Sequence, residues 1–209
     1  SKERVPCILV LDASWSMNEV GSNGKERIQE LNEGLLAFEK AITTDERARE
    51  RVQVCIVIVG GPTDKAEVLM DWTDASYFEA FPLSASGGTP LAEGILLGLE
   101  MARTGSAELN TAGLSNKRPW MFVISDGEPT SRNKIWEEAI SAVIEAQEKK
   151  EVLVYPVGVD GADIEKLSEL ITPGDKSKQV GVQILSSMNF KTYFKWISDS
   201  LSKAQDGFR

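Results

Sequence analysis

Apolar runs alternate along the chain with segments in which apolar residues recur at helical spacing. The runs carry few charges, and several are rich in β-branched residues, which is typical of buried strands, whereas the helical spacing predicts helices that bury one face. Strands are predicted at 7–12, 52–60, 66–72, 120–126, 152–159 and, as a shorter run, 182–185. Helices are predicted at 25–42, 90–103, 136–144, 164–171 and 190–204. This alternation is typical of an α/β protein.

The apolar strands predict a sheet that is covered on both faces. We expect a doubly wound, mostly parallel sheet with helices on both faces. The turn sequence GGPTD at 60–64 predicts a hairpin, which makes the third strand antiparallel and places it at an edge. The polar segment 104–119 contains glycines and a proline and is interpreted as a long surface loop. No repeat or linker is visible, and 209 residues predict a single domain over 1–209.

Composition and charge narrow the class of protein. Hydrophobic residues make up 42% of the chain and charged residues 26%, as in soluble globular proteins. The formal net charge of −9 disfavours binding to nucleic acid or to an anionic membrane and suits the binding of a cation. The chain contains no histidine, which excludes Ser-His-Asp and Cys-His nucleophiles and zinc sites that depend on imidazole.

The two cysteines and the absence of long apolar stretches bear on the cellular location of the protein. Cys7 and Cys55 lie inside apolar runs and are interpreted as buried, reduced thiols. No apolar stretch approaches the ~20 residues that span a bilayer. No signal peptide is visible, so we expect a cytoplasmic location.

Oxygen-bearing side chains collect at the predicted carboxyl ends of two strands. Asp12 ends the first strand, Asp126 ends the fourth, and Ser14 and Ser16 follow Asp12 at alternate positions. The loop that carries Thr89 should lie near them, because ligand sites in such sheets form at the carboxyl ends, near the switch in strand order. All five side chains are hard oxygen donors, of the kind that bind Mg²⁺, Mn²⁺ or Ca²⁺.

Asp12, Thr89 and Asp126 each have a purely structural interpretation as well. Asp12 could begin a turn. Thr89 is followed by Pro90 and could cap a helix, with the proline at its first position. Asp126 and Gly127 form an ordinary turn dipeptide. The expected convergence of all of them on one sheet edge favours a common site.

Three segments carry a resemblance to a known family. DASWSM at 12–17, GGTP at 87–90 and SDGEPT at 125–130, in this order on this strand pattern, resemble the metal-ion-dependent adhesion site of von Willebrand factor A (VWA) domains. Asp12, Ser14 and Ser16 match the Asp-x-Ser-x-Ser motif of that family, Thr89 matches its separate threonine, and Asp126 matches its distal aspartate. Within the family, GGTP and DGEPT resemble bacterial stand-alone proteins associated with tellurite resistance and stress, the TerY-like group.

The resemblance implies a divalent-metal-dependent protein-binding module and not an enzyme. A Mg²⁺-like ion would be bound by Ser14, Ser16 and Thr89, with Asp12 and Asp126 acting largely through waters. A Glu or Asp of a partner protein would fill the open coordination position. The resemblance also implies that the contact with Thr89 can change on ligand binding and couple to the final helix.

Trp15 stands where this family most often has glycine. One interpretation is that the ring packs on a neighbouring helix. The other is that the ring lines the rim of the site and contacts a partner, since tryptophan is a favoured interface anchor.

Three other functions are weighed against the binding module. A haloacid-dehalogenase-like phosphatase needs a second aspartate two positions after its nucleophile, where this chain has Ser14, whose hydroxyl does not act as a general acid or base near neutral pH. A scaffold domain with an inactive metal site is another alternative. A nucleotide-binding P-loop is excluded, because GSNGKE at 21–26 lacks the required spacing and the Ser or Thr after the lysine.

Overall fold

A sheet of six strands forms the centre of the computed structural model, which describes residues 3–22, 24–159, 161–171, 182–184 and 190–203. The strands are Val5–Ala13 (β1), Val52–Gly60 (β2), Lys65–Asp74 (β3), Trp120–Ser125 (β4), Leu153–Gly158 (β5) and Gln183–Ile184 (β6). Their order across the sheet is β3-β2-β1-β4-β5-β6. Every neighbouring pair is parallel except β2 and β3, which confirms the doubly wound sheet with one antiparallel edge strand.

Helices cover both faces of the sheet. They are Arg27–Thr44 (α1), Glu46–Arg51 (α2), Leu91–Thr111 (α3), Asn133–Glu148 (α4), Ile164–Ser168 (α5) and Phe190–Lys203 (α6). Buried residues of α1, α2 and α6 share one apolar cluster, and those of α3, α4 and α5 share the other. The sequence did not predict α2, whose six residues ERARER bury only Ala48. The predicted ends of β6 at 185 and of α6 at 204 lie outside the described residues.

The central strand β1 explains why both faces are apolar. Cys7, Leu9 and Leu11 belong to the cluster under α1 and α6, whereas Ile8 and Val10 belong to the cluster under α3 and α4. All five are fully buried. Full burial of one Leu, Ile or Val side chain contributes about 1.5–3 kcal/mol, so the alternation fixes the strand in one register between its neighbours.

The predicted loop at 104–119 is wrong over its first half, because α3 continues to Thr111. Gly105 does not break the helix there. A Cβ at this position would collide with the indole of Trp72 on β3, so glycine lets the helix pass close to that ring. Leu109 is buried one turn later. The helix ends where Gly113 adopts a positive φ of 71°, and Leu114 N–H then donates to the Leu109 carbonyl at 2.9 Å.

No helix among the described residues is both long enough and apolar enough to cross a membrane. Cys7 and Cys55 are buried free thiols, in agreement with their interpretation from the sequence. The prediction of a single domain over 1–209 stays a prediction.

Candidate metal site at the strand ends

The candidate residues lie where the strand order of the sheet changes direction. The chain leaves β1 for β2 on one side and later returns to place β4 on the other side of β1. The loops after β1 and β4 therefore diverge, and such a crevice at the carboxyl ends of the strands is where ligands bind in open α/β sheets. Asp12 is the penultimate residue of β1, and Asp126 directly follows β4.

Asp12 is held in one orientation by two hydrogen bonds. Its side chain is fully buried. Oδ1 accepts the backbone N–H of Ser14 at 2.8 Å, and Oδ2 accepts the hydroxyl of Ser125 at 2.7 Å. Ser125 in turn accepts the N–H of Gly127 through its Oγ at 3.1 Å, so the ends of β1 and β4 are joined through this hydroxyl.

The two serines of the Asp-x-Ser-x-Ser motif connect β1 to Asp126. A 3₁₀ turn over Trp15–Asn18 follows Ser14, and the buried Met17 fixes this turn to the core. The turn brings the Oγ atoms of Ser14 and Ser16 to 3.1 Å from each other. The hydroxyl of Ser16 donates to Asp126 Oδ2, which places the serine beside the distal aspartate.

Thr89 is brought to the same edge by the loop before α3. The backbone of this loop is hydrogen-bonded to the residues that follow Asp12: Ser86 N–H donates to Ala13 O, and Trp15 N–H donates to Gly87 O, both at 2.9 Å. Thr89 is 95% buried, with 5% of its surface exposed. In the part of the chain that the structure describes, its hydroxyl has no hydrogen-bond partner.

The prediction that Thr89 caps a helix is wrong. Helix α3 begins at Leu91, and Pro90 occupies the capping position without a side-chain hydrogen bond. The Thr89 carbonyl accepts the Leu91 N–H at 2.7 Å in a tight turn, which moves the start of the helix one residue along the chain. The Thr89 hydroxyl is therefore not used by the helix.

The two carboxylates form a buried pair without a counter-charge. Asp126 is 5% exposed and Asp12 is fully buried. Burial, together with the charge of Asp126, raises the pKa of Asp12 from its usual 3.8 to about 6, although the hydrogen bonds from Ser14 and Ser125 act in the opposite direction. Neither carboxylate forms an ion pair with any described residue. A cation placed between them would relieve this repulsion.

The donor set fits a hard divalent cation. It contains two carboxylates and three hydroxyls, the oxygen ligands that Mg²⁺, Mn²⁺ and Ca²⁺ accept. No group of three or more Asp, Glu, His or Cys side chains that could hold a metal occurs among the described residues. Any ion at this edge would consequently depend on hydroxyls for much of its coordination.

Sequence comparison shows the family of the chain. The family model of the von Willebrand factor type A domain matches residues 7–194. The chain belongs to this family. No curated protein sequence matches the chain.

Solved structures share the VWA fold at low sequence identity. The pilus adhesin SpaC from Lactobacillus rhamnosus GG superposes with a TM-score of 0.70 at 16% identity over 97% of this chain, which spans 31% of the SpaC chain. The vWF domain of the type V pili tip protein Mfa5 from Porphyromonas gingivalis gives a TM-score of 0.64 at 14% identity and covers 100% of this chain and 99% of that one. The proximal thread matrix protein 1 from the mussel byssus gives 0.58 at 16% identity over 96% of this chain and 46% of its own.

Trp15 of this VWA domain does not pack under a helix. Its side chain is 66% exposed at the start of the 3₁₀ turn, between Ser14 and Ser16. The packing interpretation is therefore wrong, and the ring stands at the rim of the candidate site. Its contact with a partner stays a prediction.

Two residues that organise this edge of the VWA domain were not predicted from the sequence. Ser125 bonds Asp12, and Thr130 accepts the Thr89 N–H through its Oγ1 at 2.9 Å. Both lie within the SDGEPT segment that supports the family resemblance. Both hydroxyls are visible near Asp126 in the sequence, but the residues to which they are hydrogen-bonded lie on other segments of the chain.

Proposed function

We propose that this VWA domain is a divalent-metal-dependent protein-binding module. The hydroxyls of Ser14, Ser16 and Thr89 hold a Mg²⁺-like ion directly, and Asp12 and Asp126 hold it largely through waters. The observation that carries this proposal is the buried carboxylate pair, which lacks a counter-charge among the described residues and is hydrogen-bonded to the serines of the motif.

The proposed ligand of the ion is an acidic side chain of a partner protein. Hydroxyls contribute lone pairs without charge, so an ion held largely by them keeps much of its positive charge for an outside carboxylate. A Glu or Asp of the partner fills the open coordination position. The exposed ring of Trp15 and the loop at 84–90 contribute contacts around it.

Binding is favoured over catalysis by the residues at the strand ends. Asp12 accepts hydrogen bonds through both carboxylate oxygens, so its carboxylate has a structural role. A phosphatase of the haloacid-dehalogenase type would need an acid at position 14, and Ser14 does not supply one. The match to the VWA family supports the same choice.

The proposed setting is a bacterial stress or tellurite-resistance system in the cytoplasm. It is supported by the resemblance of GGTP and DGEPT to the TerY-like group. Among the proteins of similar fold, SpaC is a pilus adhesin and Mfa5 is a type V pili tip protein. Tellurite sensitivity of a strain that lacks this protein, restored by the wild type and not by Asp12→Ala, would support the stress setting over an adhesive one.

Metal binding is tested first. Mg²⁺ and Mn²⁺ are titrated by calorimetry and by thermal shift into the wild type, Asp12→Ala and Thr89→Ala, with the exposed Asp199→Ala on α6 as the matched control. A ligand that binds only the folded state stabilises it by ~2.7 kcal/mol at 100 times its Kd. We expect this gain in the wild type and the control, and its loss in the site variants. A wild type that gains no stability from either ion at millimolar concentration would refute the metal-dependent mechanism.

Partner binding is tested second, with the metal as the variable. Proteins captured on immobilised wild type in Mg²⁺ are compared with those captured in EDTA and on Asp12→Ala. A specific partner is expected only on the wild type in Mg²⁺, and substitution of one Glu or Asp in that partner should release it. Capture that is unchanged by EDTA would favour the scaffold alternative.

A further inference from the structure

We infer that Asp64 and Thr130 are positioning residues, which hold the backbone of the Thr89 loop by hydrogen bonds and so set the affinity of the metal site. This inference rests on the proposed function. It concerns two residues that do not belong to the expected ligand set. Asp64 lies in the turn between β2 and β3, and Thr130 lies in the loop after Asp126.

Asp64 holds the loop from the side of the hairpin. Its Oδ1 accepts the backbone N–H of Gly88, the residue before Thr89, at 2.6 Å. Asp64 adopts a left-handed conformation, with φ of 53°, and its own N–H donates to Gly61 O at 3.0 Å. Aspartate tolerates this conformation better than most residues, which suits it to the turn position.

The glycines of the loop are fitted to this carboxylate and to the metal motif. A Cβ at Gly87 would lie 2.5 Å from Asp64 Oδ1. A Cβ at Gly60 would lie 2.5 Å from Gly88 O and 3.1 Å from the Cα of Ser14. The hairpin turn, the Thr89 loop and the Asp-x-Ser-x-Ser loop therefore approach each other at backbone distance, so a shift of one displaces the others.

Thr130 holds the loop through a second set of hydrogen bonds. Its Oγ1 accepts the Thr89 N–H at 2.9 Å, and its own N–H donates to Thr89 O at 2.9 Å. Both backbone polar groups of Thr89 are thus bonded to one residue. Because Thr130 belongs to the same loop as Asp126, it ties the position of Thr89 to that of the distal aspartate.

The consequence is a preset position for the Thr89 hydroxyl. The N–H groups of Gly88 and Thr89 and the carbonyl of Thr89 all have hydrogen-bond partners, which orient the backbone that carries the hydroxyl. Outer residues that orient metal ligands typically change metal affinity 10–100-fold when they are replaced. We therefore expect losses of this size when either anchor is removed, with the five ligand candidates left intact.

The test uses paired substitutions at each anchor. Thr130→Val removes the acceptor for the Thr89 N–H and keeps the shape of the side chain, whereas Thr130→Ser keeps the hydroxyl. Asp64→Ala removes the acceptor for Gly88, whereas Asp64→Asn keeps an acceptor oxygen and removes the charge. Thr104→Val, on the exposed surface of α3, is the matched control.

Mg²⁺ and Mn²⁺ affinities are measured by calorimetry, and thermal unfolding in EDTA is measured for every variant. We expect 10–100-fold weaker binding for Thr130→Val and Asp64→Ala, and near-wild-type binding for Thr130→Ser, Asp64→Asn and the control. Wild-type affinity in Thr130→Val and Asp64→Ala would overturn the inference alone. So would an equal loss in Asp64→Ala and Asp64→Asn, because charge and not position would then explain it.

Three further outcomes are separated by the same data. A wild type that binds neither ion overturns the proposed function and this inference with it. If one anchor variant does not fold in EDTA, the other anchor decides, since the two act on different backbone groups of the loop. A purely structural role would lower the unfolding temperature in EDTA without weakening metal binding to the folded protein, and this result counts against the inference.

Discussion

Replacing Asp12 by asparagine should make the metal-free protein more stable and should remove its response to Mg²⁺. The carboxylate is fully buried next to Asp126 and has no ion-pair partner among the described residues. The neutral amide keeps an oxygen for the Ser14 N–H and can donate to the Ser125 hydroxyl. Loss of a buried hydrogen-bonded side chain usually destabilises a protein, so a gain in stability is a specific signature of unfavourable charge.

The magnitude follows from the titration of Asp12. Its pKa is raised from 3.8 to about 6, and each pKa unit corresponds to about 1.4 kcal/mol, which gives about 3 kcal/mol of unfavourable free energy for the ionised form. Rearranged hydrogen bonds at Ser125 would cost about 1 kcal/mol. The net gain of about 2 kcal/mol corresponds to an increase in Tm of roughly 4–8 °C for a chain of this size.

The sign of the pH dependence provides the internal control. An acid whose pKa is raised in the folded state contributes full stability below its unfolded pKa and loses it as the pH rises through the folded value. In EDTA, the difference between Asp12→Asn and the wild type should be smallest near pH 4 and largest above pH 6. Saturating Mg²⁺ should reverse the order, because only the wild type gains ~2.7 kcal/mol at 100 times its Kd.

The assay is urea unfolding in EDTA and in Mg²⁺ at a series of pH values between 4 and 7.5, with Asp199→Asn as the control for loss of an exposed carboxylate. A lower stability of Asp12→Asn than of the wild type in EDTA at pH 7.5 would contradict the unfavourable charge at Asp12. So would a difference between the two proteins that does not change with pH.

Three further predictions concern packing, the thiols and the rim. Gly94→Ala on α3 should destabilise the protein by about 1–3 kcal/mol in urea unfolding, because the new methyl collides with Val59. Helix propensity alone predicts a gain of ~1 kcal/mol, so a measured gain would contradict the packing. Burial raises the pKa of Cys55 to about 12 and also raises the pKa of Cys7, so neither thiol should react with a thiol reagent at pH 8 before the protein unfolds. The free energy of unfolding should fall above about pH 9, because the thiols ionise in the unfolded chain. A rapid reaction of either thiol in the folded protein would contradict its burial. Trp15→Ala should change the free energy of unfolding by less than ~0.5 kcal/mol and leave Mg²⁺ affinity unchanged, and a larger loss by calorimetry would show that the ring supports the metal loop.

The sheet could be predicted from the sequence because its signal is local. Each buried strand is a continuous apolar run, and the hairpin at 60–64 carries its own turn residues. The length of α3 could not be predicted, since Gly105 looks like a helix breaker until the indole of Trp72, 33 residues earlier, is placed against it. The short helix α2 has almost no buried face, so it leaves no apolar spacing to detect.

The candidate site shows the same division between local and distant signals. Asp12 and Asp126 could be placed at one edge because strand ends converge in a parallel sheet. Ser125, Thr130 and Asp64 act by hydrogen bonds to loops far away in the sequence, and a single hydroxyl or turn aspartate does not reveal its partner. The sequence suggested that Thr89 caps a helix, but the tight turn at Pro90 moves the start of the helix beyond it.

The hydrogen bond between Ser16 and Asp126 joins residues 110 positions apart, and this separation has a consequence for assembly. The Asp-x-Ser-x-Ser loop leaves the ribosome early, but the site is complete only after β4 has paired with β1. An ion that binds the completed edge stabilises the native chain and not its unfinished forms. Under the proposed function, metal capture would report that both halves of the sheet have joined. A chain interrupted before β4 would then carry the motif without presenting an ion to a partner.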